Sequence, residues 1–529
     1  MEKPLAASTW EPLRIGVFRA MWLAALVSNV GSWMQTVGAQ WLLVDAPHAA
    51  FLVAMVQVAD MVPDFAFGLV GGVLADTLDR RRLLIAVQAG LVVVCSGLTV
   101  LTWLHLLSPT LLLVFTFVLG FGSVISTPAF QSLVPELVPR DQLPAASALS
   151  SISINLARAI GPALAGVLIA KAGVAAVFAI NTVTFAVFGI VIALWHAPRR
   201  KPARRPERFG PAMLAGVRYI RYSPVVMRIL TRATLFLIPA SALWALLPLI
   251  ASSRLHSGAG GYGVLLGALG VGAITGAFVL PYLAQRLSRN ARLAGGTAVY
   301  AAVMAGVAVN RVPALSVLML VPAGVAWLAI LADFNAELQL FLPVWVRARG
   351  LSIYQMVFFG AQAFGAVLWG AVAGPLGLVT TFVLAGASLL ATALTLRWWP
   401  LIDTKGLDRN TVISWPDPRL VIAQVPDDVP VAVRSTYRVA KENEKAFLKA
   451  MARVRLSRLR TGASEWSLYR NAEDERVFME FFVAPSWEEH MRQHTDRQTG
   501  TDQRFEEEVE AFSEKPVATL HLISVPVDR

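Results

Sequence analysis

The sequence predicts an all-α membrane protein followed by a small α+β domain. Of its 529 residues, 56% are hydrophobic and 15% are charged, whereas about a quarter of the residues of a soluble protein are charged. The mean hydropathy is +0.60. After Trp398-Trp399-Pro400 the composition changes abruptly to a mixture of charged, apolar and turn-forming residues. The first part of the chain therefore belongs in lipid, and the last part belongs in water.

Apolar segments long enough to cross a bilayer recur along the first part. A membrane-spanning helix needs about 20 mostly apolar residues. The first six such segments lie near 18–44, 49–75, 83–106, 109–134, 143–170 and 174–196, and the second six lie near 227–252, 261–286, 293–311, 314–342, 350–374 and 377–397. The sequence thus predicts twelve transmembrane helices in two six-helix halves.

Basic residues mark one side of the predicted membrane. Alternate connections contain Arg80 to Arg82, Arg140, a cluster from Arg199 to Arg208, Arg286 to Arg292, and Arg347 with Arg349. The opposite connections contain only Lys171, Arg254 and Arg311. By the positive-inside rule, both termini are cytoplasmic in a multi-pass protein of the inner (plasma) membrane. The formal charge of +12 then reflects topology, so we expect no nucleic acid partner.

Changes in composition divide the chain into six parts. They are a cytoplasmic N-terminus (1–17), an N-terminal half (18–196), a basic cytoplasmic loop (197–226), a C-terminal half (227–400), a linker (401–429) and a cytoplasmic α+β domain (430–529). The loop contains a stretch from Phe209 to Tyr222 that could form an amphipathic helix on the lipid surface.

The two halves share a repeated pattern that indicates duplication. Gln131 to Pro135, with Gly161 and Gly166 downstream, resembles Gln339 to Pro343, with Gly365 and Gly370 downstream. Duplicated six-helix halves are typical of secondary transporters.

The segment from Gly71 to Arg82 carries a family motif. Gly72, Leu74, Ala75, Asp76, Arg80 and Arg81 match a Gly-x-Leu-Ala-Asp-x-x-Gly-Arg-Arg pattern. The chain therefore resembles the major facilitator superfamily over roughly its first 400 residues. Asp79 replaces the third glycine, as in the enterobactin-exporter-like, transmembrane secretion effector branch. The resemblance implies that Asp76, Arg80 and Arg81 form a cytoplasmic latch.

A second stretch, from Asn155 to Gly166, resembles the antiporter motif of that superfamily, which implies a gating role for Gly161, Pro162 and Gly166. Arg158 lies within it, and Asp60 and Asp64 lie on one face of the second span. Charges at membrane depth are costly, so these three residues are candidates for proton coupling. Two readings stay open: a static ion pair with Arg158, or an acid, most readily Asp64, that loads and releases a proton.

The tenth span carries Asp333 and Glu337 on one face. The resemblance implies that this span lines the central cavity, so both acids are candidates for substrate binding and Asp333 also for proton coupling. Glu337, close to Arg347 and Arg349 in the sequence, could instead form an inner-gate salt bridge. In the first span, Asn29, Ser32, Trp33 and Gln35 fit a cavity for amphipathic molecules; about half of that stripe's polar residues could equally serve interhelical hydrogen bonds.

The last hundred residues predict the order strand (431–439), helix (442–459), strand (465–469), strand (477–484), helix (487–512) and strand (517–524). This ferredoxin-like order resembles the dimeric α+β barrel family that includes antibiotic-biosynthesis monooxygenases, which implies a possible homodimer. His490 and His494 lie four residues apart, but no third ligand is evident, so we expect no metal. We expect no other cofactor either.

The sequence therefore predicts a secondary active, proton-coupled exporter of amphipathic small molecules such as siderophores or drugs, with protons, its substrate and the lipid bilayer as partners. No phosphate-binding loop motif is present, so ATP is not the expected energy source. Two alternatives stay open. The chain could be a membrane-anchored monooxygenase-like enzyme, or a transporter whose tail is purely regulatory or dimerising, and we prefer the latter because no acid–base pair stands out in the tail.

Overall fold

The structure, a computed structural model, describes residues 10–195, 209–404, 406–413, 415, 418 and 427–525, without the side chains at 73, 75–77, 209, 211 and 212. The chain forms two compact units. The helical unit comprises Met1–Ala203, Arg232–Phe334 and Tyr354–Pro400; the tail unit comprises Arg204–Thr231, Asn335–Ile353 and Leu401–Arg529. The cluster of basic residues between Arg199 and Arg208 lies outside the described residues.

Eleven helices precede the tail domain in the described residues. They are α1 (Gly16–Leu42), α2 (Ala49–Thr77), α3 (Arg80–Trp103), α4 (Pro109–Leu137), α5 (Leu143–Leu194), α6 (Phe209–Arg221), α7 (Pro224–Leu249), α8 (Ala259–Arg286), α9 (Arg289–Val309), α10 (Pro313–Phe341) and α11 (Val344–Leu394). Nine of the described helices are long and apolar enough to cross a bilayer. Helix α1, which carries the polar stripe, is not among the nine.

Helices α5 and α11 are much longer than one bilayer crossing. They contain 52 and 51 residues, whereas a bilayer core of about 30 Å needs about 20. Each consists of two helices that meet at a kink, where Gly173 (φ +78°) and Gly377 (φ +76°) have left-handed backbone angles. Gly173 lies in the predicted connection between spans 5 and 6, and Gly377 lies at the predicted start of span 12.

Helix α5 packs closely against one helix from each half. A Cβ atom at Gly161 would lie 2.7 Å from the Cβ of Trp33 on α1, and one at Gly166 would lie 2.6 Å from the carbonyl oxygen of Ala259 on α8. Only glycine allows this approach, as at other small-residue contacts between membrane helices.

Helix α11 repeats this arrangement with the halves exchanged. A Cβ atom at Gly365 would clash with Ile238 on α7, and one at Gly370 would lie 2.6 Å from the Cβ of Ala54 on α2. The repeat seen in the sequence therefore corresponds to a repeat in packing: α5 contacts α1 and α8, and α11 contacts α7 and α2.

The tail domain contains β1 (Val431–Arg438), α12 (Glu444–Thr461), β2 (Glu465–Arg470), β3 (Val477–Ala484), α13 (Trp487–Arg492), α14 (Gly500–Glu510) and β4 (Ala518–Ile523). The four strands form one antiparallel sheet in the order β2-β3-β1-β4. Alternate residues of β1, including Val431 and Val433, are buried in the core. The predicted order of strands and helices is therefore observed.

The predicted helix over 487–512 is interrupted, and in this detail the prediction was wrong. A π-helical turn (Gln493–Arg497) follows α13, and the backbone at Gln498 is extended. Helix α14 then begins with a capping box: the Thr499 hydroxyl accepts from the Asp502 N–H, and the Asp502 carboxylate accepts from the Thr499 N–H at 3.0 Å. This cap satisfies N–H groups at a helix start, so the sequence itself encodes a second helix.

Helix α6 forms as the sequence predicts and belongs to the tail unit. Its Ala215, Tyr219 and Ile220 are buried, whereas Leu214 is exposed. The Arg218 guanidinium donates to the carbonyl oxygen of Gly462 at 2.7 Å, at the end of α12. One face of this helix therefore contacts protein, and its predicted contact with lipid stays a prediction.

Candidate functional site

A cavity of about 160 Å³ lies among seven helices of the helical unit. The N-terminal half supplies residues from α1, α2 and α5, and the C-terminal half supplies residues from α7, α8, α10 and α11. The lining side chains are polar, charged or large and apolar: Trp33, Thr36, Val37, Gln40, Gln57, Asp60, Met61, Asp64, Arg158, Trp244, Tyr262, Leu266, Trp327, Phe358, Phe359 and Gln362. We call it the central cavity.

Two carboxylates enter the central cavity from helix α2. Asp60 and Asp64 are one helical turn apart, so both face the same side. Pro63 lies between them inside the helix and cannot donate a backbone hydrogen bond. Gly120 of α4 permits close packing here, because a Cβ atom there would lie 2.8 Å from the carbonyl oxygen of Asp60.

Arg158 enters the same cavity from helix α5. Its guanidinium carbon lies 5.4 Å from the centre of the Trp33 ring, within the range of a cation–π interaction. Its Nε atom is buried and has no hydrogen-bond partner among the described residues. The three predicted charged residues therefore meet at one cavity, but no ion pair in the described part of the chain joins them, and their pairing stays a prediction.

Aromatic side chains, mostly from the C-terminal half, form the apolar wall of the cavity. The ring centres of Trp244 and Trp327 are 5.4 Å apart, and those of Trp33 and Trp244 are 6.3 Å apart. The Tyr262 hydroxyl donates to Oε1 of Gln40 at 2.5 Å, joining α8 to α1. Apart from Trp33, these residues were not predicted from the sequence. Their only signal was an aromatic residue inside an apolar span.

The predicted polar stripe of α1 divides among three environments. Trp33 lines the central cavity, whereas Asn29 and Ser32 line a second cavity of about 130 Å³ between α1, α3, α4 and α5. Gln35 is buried, and its Oε1 accepts hydrogen bonds from Asn181 and, at 3.6 Å, from the Cys95 thiol. Gln35 therefore joins helices in this structure, which matches the packing alternative; substrate contact by Asn29 and Ser32 stays a prediction.

The acids of helix α10 have different surroundings from those of α2. The Asp333 carboxylate accepts two hydrogen bonds from Arg292, at 3.0 Å from Nε and 2.6 Å from Nη2, and both side chains are largely buried. Asp333 is not among the residues that line the central cavity. Glu337 is buried as well. The Arg292 guanidinium therefore already occupies the Asp333 carboxylate through a bidentate contact, and the roles of Asp333 in proton coupling and substrate binding stay predictions.

The residues of the predicted latch hold the N-terminal half together. Arg80 forms a salt bridge with Glu136 of α4 at 2.9 Å, and Arg81 donates to the carbonyl oxygen of Ala193 at 2.6 Å. Asp79, which replaces the family glycine, caps helix α3 by accepting from the Arg82 N–H at 2.8 Å. The side chain of Asp76 lies outside the described residues.

The remaining gating residues lie in helices α5 and α11. Pro162 lies inside α5, and its carbonyl oxygen would be 2.5 Å from a Cβ atom at Gly263. Together with Gly161 and Gly166, it belongs to the packing surface of α5. Arg347 donates from Nε to the carbonyl oxygen of Leu342 at 3.3 Å, at the start of α11. Their roles in gating stay predictions.

Comparison with solved structures identifies the class of fold. A mutant of the nucleoside transporter NupG aligns with 72% of this chain and 99% of its own chain at a TM-score of 0.59 and 11% identity. A bacterial homologue of the human lysosomal transporter Spinster, solved in an inward-facing conformation, aligns with 74% of this chain and 96% of its own at a TM-score of 0.54 and 15% identity. The chain has the fold of a multi-pass membrane transporter.

The chain belongs to the transmembrane secretion effector family, whose profile matches residues 7–528. It is 22% identical over 363 residues to the staphyloferrin A transporter of Staphylococcus aureus, covering 68% of this chain and 90% of the relative. It is 29% identical over 271 residues to the enterobactin exporter EntS of Shigella boydii, covering 51% and 64%. Macrolide efflux protein A of Streptococcus pyogenes is 24% identical over 237 residues, covering 44% and 58%.

These comparisons confirm the family resemblance and favour a membrane transporter over the enzyme alternative. They also extend the match. The sequence motifs covered roughly the first 400 residues, whereas the family profile continues through the tail domain. The tail is therefore part of what the profile describes.

Proposed function

We propose that the chain is a proton-coupled exporter of amphipathic small molecules, of the siderophore or drug class, that works by alternating access. The observation that carries the proposal is the central cavity, where Asp60, Asp64 and Arg158 share one space with an aromatic wall. Pockets of this kind bind organic molecules by apolar contact, and a few polar groups fix their orientation. The names of the relatives, which transport or export siderophores or a macrolide, support this substrate class.

Twelve membrane crossings fit the observed helices. Helices α5 and α11, each kinked at a glycine, are long enough to supply two crossings each. With α1 and seven further single helices, the total is twelve. We propose that the protein resides in the inner (plasma) membrane with both termini cytoplasmic, because the basic connections then all face inward.

Protonation of Asp64 would provide the coupling step. The two acids of α2 are close, so keeping both ionised in a cavity is costly, and one of them favours the protonated form. Counted along the spans, Asp60 and Arg158 have a similar depth in the membrane, so we assign Asp60 to balance Arg158, which leaves Asp64 to exchange its proton. Neutralising one carboxylate changes the net charge of the cavity and so favours one orientation of the two halves over the other.

Arg158 would alternate between partners during transport. Its buried Nε is without a hydrogen bond in the described part of the chain, and a guanidinium binds planar oxygen pairs well. A carboxylate of α2 can neutralise it in one state, and an oxygen-rich group of the substrate in the other. This exchange would keep the charge compensated while the substrate passes.

The tail unit supports a regulatory role. Trp345, at the start of α11, packs edge-on against Tyr219 of α6 with ring centres 5.6 Å apart, and the Arg497 guanidinium lies 4.8 Å from the Trp345 ring. The tail domain thus contacts both α6, which connects the two halves in the sequence, and the segment that joins α10 to α11. Movement of these segments during alternating access would change the contacts, so we propose that the tail biases the transport equilibrium.

A homodimer through the tail sheet is the second role we propose for this domain. On the sheet face opposite the core, Arg434 of β1 lies between Phe481 of β3 and Leu520 of β4. Leu520 and Leu522 are each 47% exposed. If this face joins two copies, Leu520→Glu should convert dimers of the full chain into monomers in detergent, as measured by light scattering. A wild type that is already monomeric would rule this out.

Transport measured in proteoliposomes tests the central proposal. The full chain is reconstituted with a proton gradient and offered a panel of siderophores and cationic drugs, while substrate movement and internal pH are recorded together. We expect a substrate that moves uphill and carries a matching proton flux. If the substrate only reaches equal concentrations on both sides of the membrane, the protein is a facilitator, and the proposed proton step is wrong.

A further inference from the structure

Three imidazoles meet in the tail domain although they are distant in sequence. His490 lies in α13, His494 lies in the π-helical turn after it, and His521 lies in β4. Nε2 of His490 and Nε2 of His494 are 3.2 Å apart, and one ring nitrogen from each of the three residues lies within 4.8 Å of the others. The sequence spacing suggested only the first two, because the third is supplied by strand pairing.

The fold explains why the third histidine lies there. His521 pairs with Val433, which is buried in the core, so its side chain is on the helix-covered face of the sheet. Strand β4 is an edge strand, and His521 is only half-buried. His490 and His494 are buried. Turns of π-helix are rare in proteins, and those that occur are frequently found at functional sites.

A chain of hydrogen bonds fixes the tautomer of His490. The Thr461 hydroxyl donates to the carbonyl oxygen of Ser457 at 2.9 Å, so it accepts from Nε2 of Gln493 at 3.2 Å. That contact orients the Gln493 amide, whose Oε1 accepts from Nδ1 of His490 at 3.2 Å. A neutral imidazole that donates from Nδ1 keeps its lone pair on Nε2, which is the atom that faces His494.

The surroundings of the three histidines tolerate a cation. His490 is fully buried, and a histidine binds a metal ion through a neutral imidazole. Trp415 packs edge-on against His494 with ring centres 4.9 Å apart. The nearby Arg458 guanidinium is bonded to the carboxylates of Glu480 and Glu506, so its charge is compensated.

We propose that His490, His494 and His521 bind one divalent transition-metal ion of the zinc, cobalt or nickel class. Imidazole nitrogens suit these ions, and carboxylate-preferring Mg²⁺ or Ca²⁺ do not fit such a set. Two ligands at about 2.0–2.1 Å from a tetrahedral ion are about 3.3 Å apart, and the Nε2 atoms of His490 and His494 already have that separation.

His521 completes the site with a small movement. The widest nitrogen separation in the cluster, within 4.8 Å, must shorten by about 1.5 Å to reach a tetrahedral arrangement. A half-buried side chain on an edge strand can make this change by rotating. The proton that His494 now donates from Nε2 would move to Nδ1 of the same ring, so that the Nε2 lone pairs of His490 and His494 both face the ion. The ion would fasten β4 to the helical layer. The fourth position would remain for water or another ligand.

Metal titration of the full chain tests the site. The protein is purified in detergent, its affinity tag is removed, and it is stripped with a chelator. Zn²⁺ is then titrated in competition with a chromophoric chelator, and Co²⁺ is titrated with visible absorption as the readout. We expect one ion per chain, the d–d bands of tetrahedral Co²⁺, and a rise in the thermal unfolding temperature with Zn²⁺.

Matched variants separate the site from adventitious binding. His521→Asn, at a half-exposed edge position that should preserve the fold, should abolish the Co²⁺ bands and the thermal shift. Gln493→Leu should weaken Zn²⁺ by about 10–100-fold, because it removes the group that orients His490. His105→Asn is the control, since its backbone φ of +58° suits asparagine. A wild type that binds no more tightly than His521→Asn, or equal losses in the control, would overturn the proposal.

Discussion

The two halves of the helical unit face the same cavity with opposite chemistry. Arg158 lies three residues before Gly161 in α5, and Gln362 lies three residues before Gly365 in α11. Since these glycines occupy corresponding packing positions, Arg158 and Gln362 are counterparts, and both line the central cavity. One half thus presents a cation where the other presents a neutral amide.

The difference extends to the rest of the lining. The three charged residues that line the cavity, Asp60, Asp64 and Arg158, all come from the N-terminal half, whereas five of the six aromatic residues come from the C-terminal half. Duplication has therefore conserved the packing of the halves but not their chemistry. We infer that the N-terminal half manages charge and protons, and that the C-terminal half supplies apolar contact with the substrate.

The strongest test of this division compares Arg158→Ala with Gln362→Ala. We expect Arg158→Ala to reduce uphill transport by about 100-fold, since the bidentate partner that we propose for Arg158 would lose two charge-assisted hydrogen bonds, together about 3 kcal/mol or more. Gln362→Ala should reduce it only a few-fold, because the amide is uncharged and its loss leaves no charge uncompensated. Initial rates in proteoliposomes, normalised to the amount of folded protein, give the comparison.

A charge exchange identifies the partner of Arg158. If Asp60 or Asp64 balances it, the double variant Asp60→Arg with Arg158→Asp, or its Asp64 equivalent, should recover folding or activity relative to each single variant. Failure of both exchanges would mean that the substrate, rather than α2, neutralises Arg158. In the alanine comparison described above, equal losses in Arg158→Ala and Gln362→Ala would contradict the division between the halves.

The next test compares the acids of the two halves. Asp64→Asn imitates the protonated carboxyl group but cannot exchange a proton, so the uphill accumulation ratio should fall to about one while exchange of substrate for substrate survives. Asp333→Asn should behave differently. It removes half of the Arg292 pair and leaves a buried cation, so it should lower thermal stability, by about 3 kcal/mol or more if the pair is fully desolvated.

The two readouts distinguish coupling from structure. An Asp64→Asn variant that still accumulates substrate against its gradient would show that α2 does not carry the proton. An Asp333→Asn variant of unchanged stability that loses only proton flux would move the coupling site into the C-terminal half.

The charged side of this contrast could be predicted from the sequence, and the aromatic side could not. Asp60, Asp64 and Arg158 stood out because a charge at membrane depth needs a reason. Trp244, Trp327 and Phe358 did not, since an aromatic residue in an apolar span can face lipid, core or cavity. Asp333 shows the limit of this reasoning. It also stood out as a charged residue in an apolar span, but its salt-bridge partner, Arg292, lies on another helix and was not predicted.

The fold could be predicted where a signal is local. The order of strands and helices in the tail follows from alternation and turn residues, and the spans follow from apolar length. The join at Gly173 and the break before Thr499 could not be placed to the residue by apolar length or periodicity, because a left-handed glycine and a capping box determine them. The meeting of His521 with His490 depends on strand pairing, which no spacing in the sequence reveals.

Substitution of paired glycines tests whether the halves pack as equivalents. Gly166→Leu and Gly370→Leu each place a side chain where a Cβ atom would already lie 2.6 Å from the opposite half. Overpacking of this kind costs about 1–3 kcal/mol, so both should lower the unfolding temperature and slow transport to a similar degree. Gly68→Ala is the control, because open space surrounds that position. A large effect at Gly166 with none at Gly370 would show that only the α5–α8 contact is needed for stability and transport.

The smallest expected effect concerns a hydrogen bond between one cavity-lining residue of each half. Tyr262 of α8 donates to Gln40 of α1 at 2.5 Å, and both side chains are buried. Tyr262→Phe keeps the aromatic wall and removes only the donor, so it should cost about 0.6–1.5 kcal/mol of stability. If the bond holds the halves in one orientation, the variant should also change the apparent KM for substrate a few-fold on one side of the membrane and not on the other. A symmetrical change in KM would instead identify Tyr262 as a substrate contact, because a residue that binds substrate in both orientations affects both sides alike.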